Sequence, residues 1–129
     1  MYLVSRFIDL FNEDSQRANE AALCAAEQGS FWPYYYLLMQ QKASPRINDL
    51  PIEKLESLAQ QLDLDITMFK ASLESGKYGA LIRQSDAEAR GLGVIGTPTF
   101  FINGIKVEGT KSLHELRIII DPMLQSSAN

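Results

Sequence analysis

A chain of 129 residues with a formal net charge of −4 fits one domain that buries one core. Its apolar content of 46% and charged content of 22% are those of an ordinary globular protein. Because acids and bases are interspersed and no run reaches the roughly 18 apolar residues of a membrane span, we expect neither a nucleic-acid nor a membrane partner. Residues 1–6 lack the basic start of a signal peptide, which favours a cytoplasmic location.

The N-terminal segment Tyr2–Ile8 is rich in β-branched and aromatic residues, which predicts a strand. A helix-start cluster follows at Asn12–Ser15, and the helix that it opens is predicted to end at Gly29. Ser30 is placed to cap a second helix, with Pro33 in its first turn, where a missing N–H does no harm.

The second predicted helix carries an aromatic cluster. Such a cluster can line a ligand groove, but it more often forms core together with a few half-buried rings, and we favour that interpretation. Its members are Phe31, Trp32, Tyr34, Tyr35 and Tyr36.

Further helices are predicted in the middle of the chain. Pro51–Leu62 has apolar residues at helical spacing, and Asp65 is a candidate N-cap for a helix that Gly76 ends. Lys77–Arg90 is another helical stretch. The sequence therefore predicts a helical block over about residues 13–91.

The last third of the chain changes character. Thr99–Ile102 and Ile105–Glu108 flank Asn103-Gly104, which is the strongest short-range signal for a β-hairpin. The first of these strands is continuously apolar, which predicts that both of its faces are covered.

A final helix is predicted to begin at a capping box formed by Ser112 and Glu115. Pro122 is expected to kink or end this helix. The apolar residues on one face are expected to be buried, and they are Leu113, Leu116, Ile119 and Ile120.

The chain has one cysteine, Cys24, and one histidine, His114. One thiol cannot form an internal disulfide, and these two residues do not make a zinc site, so we expect no metal and no cofactor. Cys24 lies among alanines, late in a predicted helix and near Glu27, which favours a buried structural thiol over a reactive one. His114 begins a helix and is expected at the surface.

The stretch Gly93–Gly109, with its Gly-x-x-Gly-Thr-Pro-Thr element and the capped helix after it, resembles the C-terminal half of the DsbA-like branch of the thioredoxin superfamily. The segment AALCAAEQGSFWPYYYLL at residues 21–38 resembles the helical insertion of that family, and residues 1–10 resemble the strand before it.

This resemblance implies one domain over residues 1–129 with an incomplete thioredoxin-like α/β fold: an N-terminal strand, a helical insertion at about 13–91, a cis-proline hairpin and a C-terminal helix. It also implies that Thr97 and Pro98 are the cis-proline pair and bind substrate. In that family the pair offers a backbone edge to an extended peptide or protein substrate.

The chemistry of the family is thiol–disulfide exchange, which needs an attacking thiolate and a second cysteine. In the family both lie in a Cys-x-x-Cys after the first strand, and this chain starts downstream of that motif. Cys24 does not match it, so we expect no catalytic residue in this chain. Family relatives are often periplasmic or extracytoplasmic.

Three functions remain open. The first is a DsbA-like oxidoreductase that is truncated or inactive because it lacks the dithiol. The second is a non-enzymatic binding or assembly module on the same scaffold. The third is small-molecule binding or glutathione conjugation, for which no residue argues.

The resemblance also bears on assembly. The absent first strand is central in the family and lies between the strands that Tyr2–Ile8 and Thr99–Ile102 resemble. Its absence leaves unpaired edges, which favour pairing with another chain. We therefore expect a homodimer. The rival is a monomer in which these two segments pair directly.

Overall fold

The computed structural model describes residues 2–6, 13–42 and 50–127. These residues divide into two compact units, one within Met1–Ala89 and one within Arg90–Asn129. The described elements, in chain order, are α1 Glu13–Ala26, α2 Phe31–Lys42, α3 Ile52–Gln60, α4 Ile66–Ser75, α5 Gly79–Gly91, β1 Thr99–Ile102, β2 Ile105–Glu108 and α6 Leu113–Ser127.

The core of the first unit is built around a face of small residues on α1. With small side chains on this face, α1 packs against α2, α3 and α4, and the larger apolar side chains of those helices fill the space. Burying each Leu or Phe there contributes about 1.5–3 kcal/mol. The fully buried set includes Ala21, Ala22, Ala25, Tyr34, Leu55, Leu58 and Phe69.

The caps of α4 are those that the sequence predicts. The Asp65 side chain accepts a hydrogen bond from the N–H of Met68 at 2.9 Å, which satisfies one of the otherwise unpaired N–H groups of the first turn. At the other end, Gly76 adopts φ 64°, a left-handed conformation that glycine reaches without steric cost.

The second unit contains the predicted hairpin. β1 and β2 pair antiparallel, with Thr99 opposite Glu108 and Ile102 opposite Ile105. Asn103 and Gly104 have φ values of 48° and 84°, and two consecutive positive φ values are what a tight two-residue hairpin turn requires.

Helix α6 begins at the predicted capping box, and the rest of the helix differs in part from the prediction. The N–H of Glu115 donates to the Ser112 hydroxyl at 3.2 Å, and the N–H of Ser112 donates to the Glu115 carboxylate at 2.7 Å. Of the two outcomes expected at Pro122, a kink or an end, the end does not occur, since the helix runs to Ser127. The expected buried stripe is wrong, because no residue of α6 is buried: Leu113 is exposed, and Leu116, Ile119 and Ile120 are half-buried.

The predicted N-terminal strand is not formed over its described part. Residues 2–6 are neither helix nor strand, and residues 7 and 8 of the prediction lie outside the described residues. A strand needs a neighbour to complete its hydrogen-bond ladder. The sheet in the described part of the chain has the order β1-β2, so residues 2–6 have no ladder partner in it.

Candidate functional site

The candidate site is the segment that leads from α5 into β1, within the second unit. The Thr97-Pro98 peptide bond is cis, and both residues are exposed. Sequence reasoning placed the site at these two residues, and the structure shows what surrounds them.

The segment is held from both sides by hydrogen bonds to its neighbours. The Thr99 hydroxyl donates to the carbonyl oxygen of Gly96 at 2.6 Å, and the N–H of Gly109 donates to the carbonyl oxygen of Pro98 at 2.9 Å. The Lys106 ammonium donates to the carbonyl oxygen of Gly93 at 3.0 Å. The backbone around Thr97 is therefore fixed to β2 and to the turn that precedes it.

The hydrogen bond between Gly109 and Pro98 shows which backbone groups of β1 face β2 and which face the opposite edge of the sheet. Along an antiparallel strand, successive residues direct their N–H and C=O groups alternately to the two neighbours. Since Pro98 faces β2 and the pairing continues in register along β1, Thr99 and Phe101 direct their backbone N–H and C=O groups to the other edge. No described residue makes a hydrogen bond with the N–H or C=O of Thr97. We call this run, Thr97 to Phe101, the open edge.

Two apolar side chains within the open edge or close to it in the sequence are exposed. Ile95 is 85% exposed and Phe101 is 44% exposed. The prediction that both faces of the first hairpin strand are covered is therefore wrong for Phe101, because its face of the two-stranded sheet is not covered. An edge with free N–H and C=O groups beside apolar side chains is suited to pairing with an added strand.

Cys24 lies in the core of the first unit and is 1% exposed. Burial raises the pKa of the Cys24 thiol, and the nearby Ser72 hydroxyl offsets part of that shift. The thiol therefore stays protonated at neutral pH, which is the reverse of what a nucleophilic cysteine needs. His114 is exposed on α6 in the second unit. The predictions for both residues are confirmed.

A polar cluster in the first unit was not found by sequence reasoning. The Glu27 carboxylate, just after α1, accepts hydrogen bonds from Ser72 at 3.0 Å, from the Tyr78 hydroxyl and from the Lys77 ammonium. These bonds, that from Lys77 foremost, lower the pKa of Glu27. Burial and the bond to Glu27 raise the pKa of Tyr78 to about 12.

The described residues contain no group of three His, Cys, Asp or Glu side chains placed to hold a metal ion. None of their helices has both the length and the apolar character needed to cross a membrane.

Comparison with known proteins gives a family and a fold. The family described as "DSBA-like thioredoxin domain" matches residues 3–121. The crystal structure of a thioredoxin-like oxidoreductase from Silicibacter pomeroyi superimposes with a TM-score of 0.75 at 27% identity, covering 93% of this chain and 66% of that one. The chain thus spans a little under two thirds of that structure and has an incomplete thioredoxin-like α/β fold.

Similar curated proteins are much longer than this chain. It is 39% identical over 103 residues to Na(+)/H(+) antiporter NhaA 3 of Salinispora tropica and 36% identical over 103 residues to NhaA 1 of Salinispora arenicola. It is 32% identical over 106 residues to NhaA of Herminiimonas arsenicoxydans. These matches cover 79–81% of the chain but only 15–16% of each antiporter.

Proposed function

The chain belongs to the family of DSBA-like thioredoxin domains, and on that premise we propose that it binds an extended polypeptide along the open edge and does not itself carry out thiol–disulfide exchange. The observation that carries the proposal is the alternation along β1, which directs the backbone N–H and C=O groups of Thr99 and Phe101 away from β2. They lie beside Thr97, whose N–H and C=O make no hydrogen bond with a described residue.

Backbone pairing would supply affinity for a peptide, and the exposed side chains of this chain would favour particular peptide sequences. In strand addition, main-chain hydrogen bonds hold the peptide while alternate side chains of the peptide meet the receptor. The exposed Ile95 and Phe101 favour a peptide with apolar residues at alternate positions. A soluble unfolded segment of another protein has this chemistry.

The cysteine content of this chain supports the proposed lack of exchange chemistry. Exchange proceeds through an accessible thiolate and a mixed disulfide that a second thiol resolves. The chain has one cysteine, and Cys24 is buried with a raised pKa. A dithiol for the same edge would have to come from a segment outside the 129 residues.

The test separates backbone pairing from side-chain contact at one position. Phe101→Pro removes an N–H that faces the open edge and leaves the ladder to β2 intact. Phe101→Ala removes the ring but keeps the N–H. We expect a short Val/Thr-rich peptide flanked by lysines to shift the amide NMR signals of Thr97, Thr99 and Phe100 in the wild type and in Phe101→Ala, and not in Phe101→Pro. Binding retained in Phe101→Pro, with its fold intact by circular dichroism, would contradict the proposal.

A second candidate is a binding module attached to a larger membrane protein. The observation that favours it is the set of antiporters in which a segment similar to this chain makes up 15–16% of the length. Sequencing the gene beyond both ends of this chain tests this candidate. A reading frame continuous with an antiporter would support it, and a reading frame without an antiporter would contradict it.

A further inference from the structure

The first unit contains a groove that the proposed function does not use. Its volume is about 280 Å³, close to the lower end of small-molecule sites. Residues 3–6 form one side, and apolar side chains of α1, α2 and α5 form the other. These side chains are Leu23, Phe31, Trp32, Leu81 and Ile82.

The polar groups of the groove have one sign of charge. Among the described residues that line it, Arg6 carries a positive charge, Ser5 and Ser85 supply hydroxyl groups, and none is acidic. No ion pair in the described part of the chain includes Arg6. A cation without a partner beside an apolar wall is complementary to a ligand with an apolar body and one negative group.

The size of the groove limits the ligand. At about 30 Å³ for each water-sized group, 280 Å³ holds roughly nine heavy atoms. We propose that this groove binds a small apolar carboxylate, with its chain against Trp32 and Leu81 and its carboxylate against Arg6 and the serine hydroxyls. A medium-chain fatty acid and the C-terminal residue of an apolar peptide share this chemistry.

Trp32 is the only tryptophan of the chain and lies in the groove wall, 37% exposed. Its fluorescence therefore reports occupancy directly. We expect octanoate to shift the Trp32 emission to shorter wavelength with saturation, and octan-1-ol to bind at least about fivefold more weakly because it cannot pair with Arg6.

Two substitutions in the groove and one control outside it assign the effect to the groove. Arg6→Gln removes the charge and should weaken octanoate binding about fivefold while leaving octan-1-ol unchanged. Arg83→Gln is the matched control, since Arg83 is an exposed arginine of α5 that does not line the groove. Leu81→Gln should weaken both ligands.

A further arm distinguishes the two sources of the carboxylate. Acetyl-Leu with a free carboxylate, which is close in size to octanoate, is compared with octanoate and with its own C-terminal amide. Tighter binding of the peptide acid than of octanoate assigns the groove to peptide C-termini, and the reverse order assigns it to fatty acids.

The proposal fails if octan-1-ol and octanoate bind equally, or if Arg6→Gln and Arg83→Gln have the same effect. It also fails if none of these ligands changes Trp32 emission or the amide NMR signals of α5 in the wild type. Circular dichroism of each variant checks that the fold is retained.

Discussion

The Glu27 carboxylate joins the end of α1 to α4 and to the turn before α5, through Ser72, Lys77 and Tyr78. Glu27→Gln keeps the size of the side chain but removes its charge. Since a hydrogen bond to a charged group contributes about 1.5–3 kcal/mol and this one is partly open to solvent, we expect unfolding free energy to fall by about 1–2 kcal/mol. Urea denaturation measures this, and Glu74→Gln, at an exposed position of α4, should change it little.

The same cluster predicts a pH dependence. The pKa of Glu27 is lowered in the folded protein, so its contribution to stability is present above the pKa of the unfolded chain and is lost as the pH falls through the folded pKa. The stability difference between wild type and Glu27→Gln should therefore shrink below about pH 4.5, the ordinary value for glutamate. A stability difference that grows as the pH falls would show that the predicted direction of the pH dependence is wrong.

Cys24 should react slowly in the folded protein. A buried thiol with a raised pKa presents little thiolate to a reagent. A thiol-specific chromogenic reagent should count one thiol after denaturation and label it only slowly before. Insulin reduction by the chain should not exceed background, and turnover that Cys24→Ser abolishes would overturn this expectation.

Contacts between individual residues were the least predictable feature from the sequence. Ser72 and Tyr78 lie 45 and 51 positions from Glu27, and no local pattern in the sequence brings them together. The burial of Cys24 was predictable because its neighbours on α1 are alanines. Thr97 and Pro98 were found through a family resemblance rather than through any property of the two residues alone.

Among the elements, the hairpin turn gives the sharpest test. Gly104 has φ 84°, and a Cβ added there would meet nothing within 4 Å. Gly104→Ala therefore carries a backbone cost alone, about 1–2 kcal/mol. Asn103→Gly, at φ 48°, is the matched control and should be nearly neutral. The amide NMR signals of β1 and β2 on denaturant titration report on the hairpin, and equal effects of the two substitutions would contradict the assignment.

Elements with local signals were predictable, and elements that depend on distant partners were not. The turn at Asn103-Gly104 and the cap at Ser112 are encoded within a few residues of themselves. The strand expected at Tyr2–Ile8 depends on a neighbouring strand, and its described residues have none. Pro122 removes one N–H from α6, yet the helix continues to Ser127, because one lost hydrogen bond does not outweigh the turns on either side.

For the whole molecule, the open edge bears on assembly. Unpaired N–H and C=O groups beside the exposed Phe101 favour pairing with a second copy of the chain, and a two-fold axis would place β1 antiparallel to itself. We expect light scattering on a chromatographed sample to give twice 14.4 kDa. Phe101→Pro should shift the population to monomer, and a wild-type mass of 14.4 kDa that is unchanged on concentration would rule the dimer out.

Because the N–H of Gly109 is bound to the carbonyl oxygen of Pro98, the effect of an insertion in this segment depends on whether the number of inserted residues is odd or even. One residue inserted between Pro98 and Thr99, with the pairing of β1 and β2 kept, would itself face Gly109 and would turn the backbone of Pro98 outward. Two inserted residues would restore the original directions. Natural insertions in this segment should therefore contain an even number of residues. An odd number would direct Pro98, which has no N–H, toward a partner at the open edge.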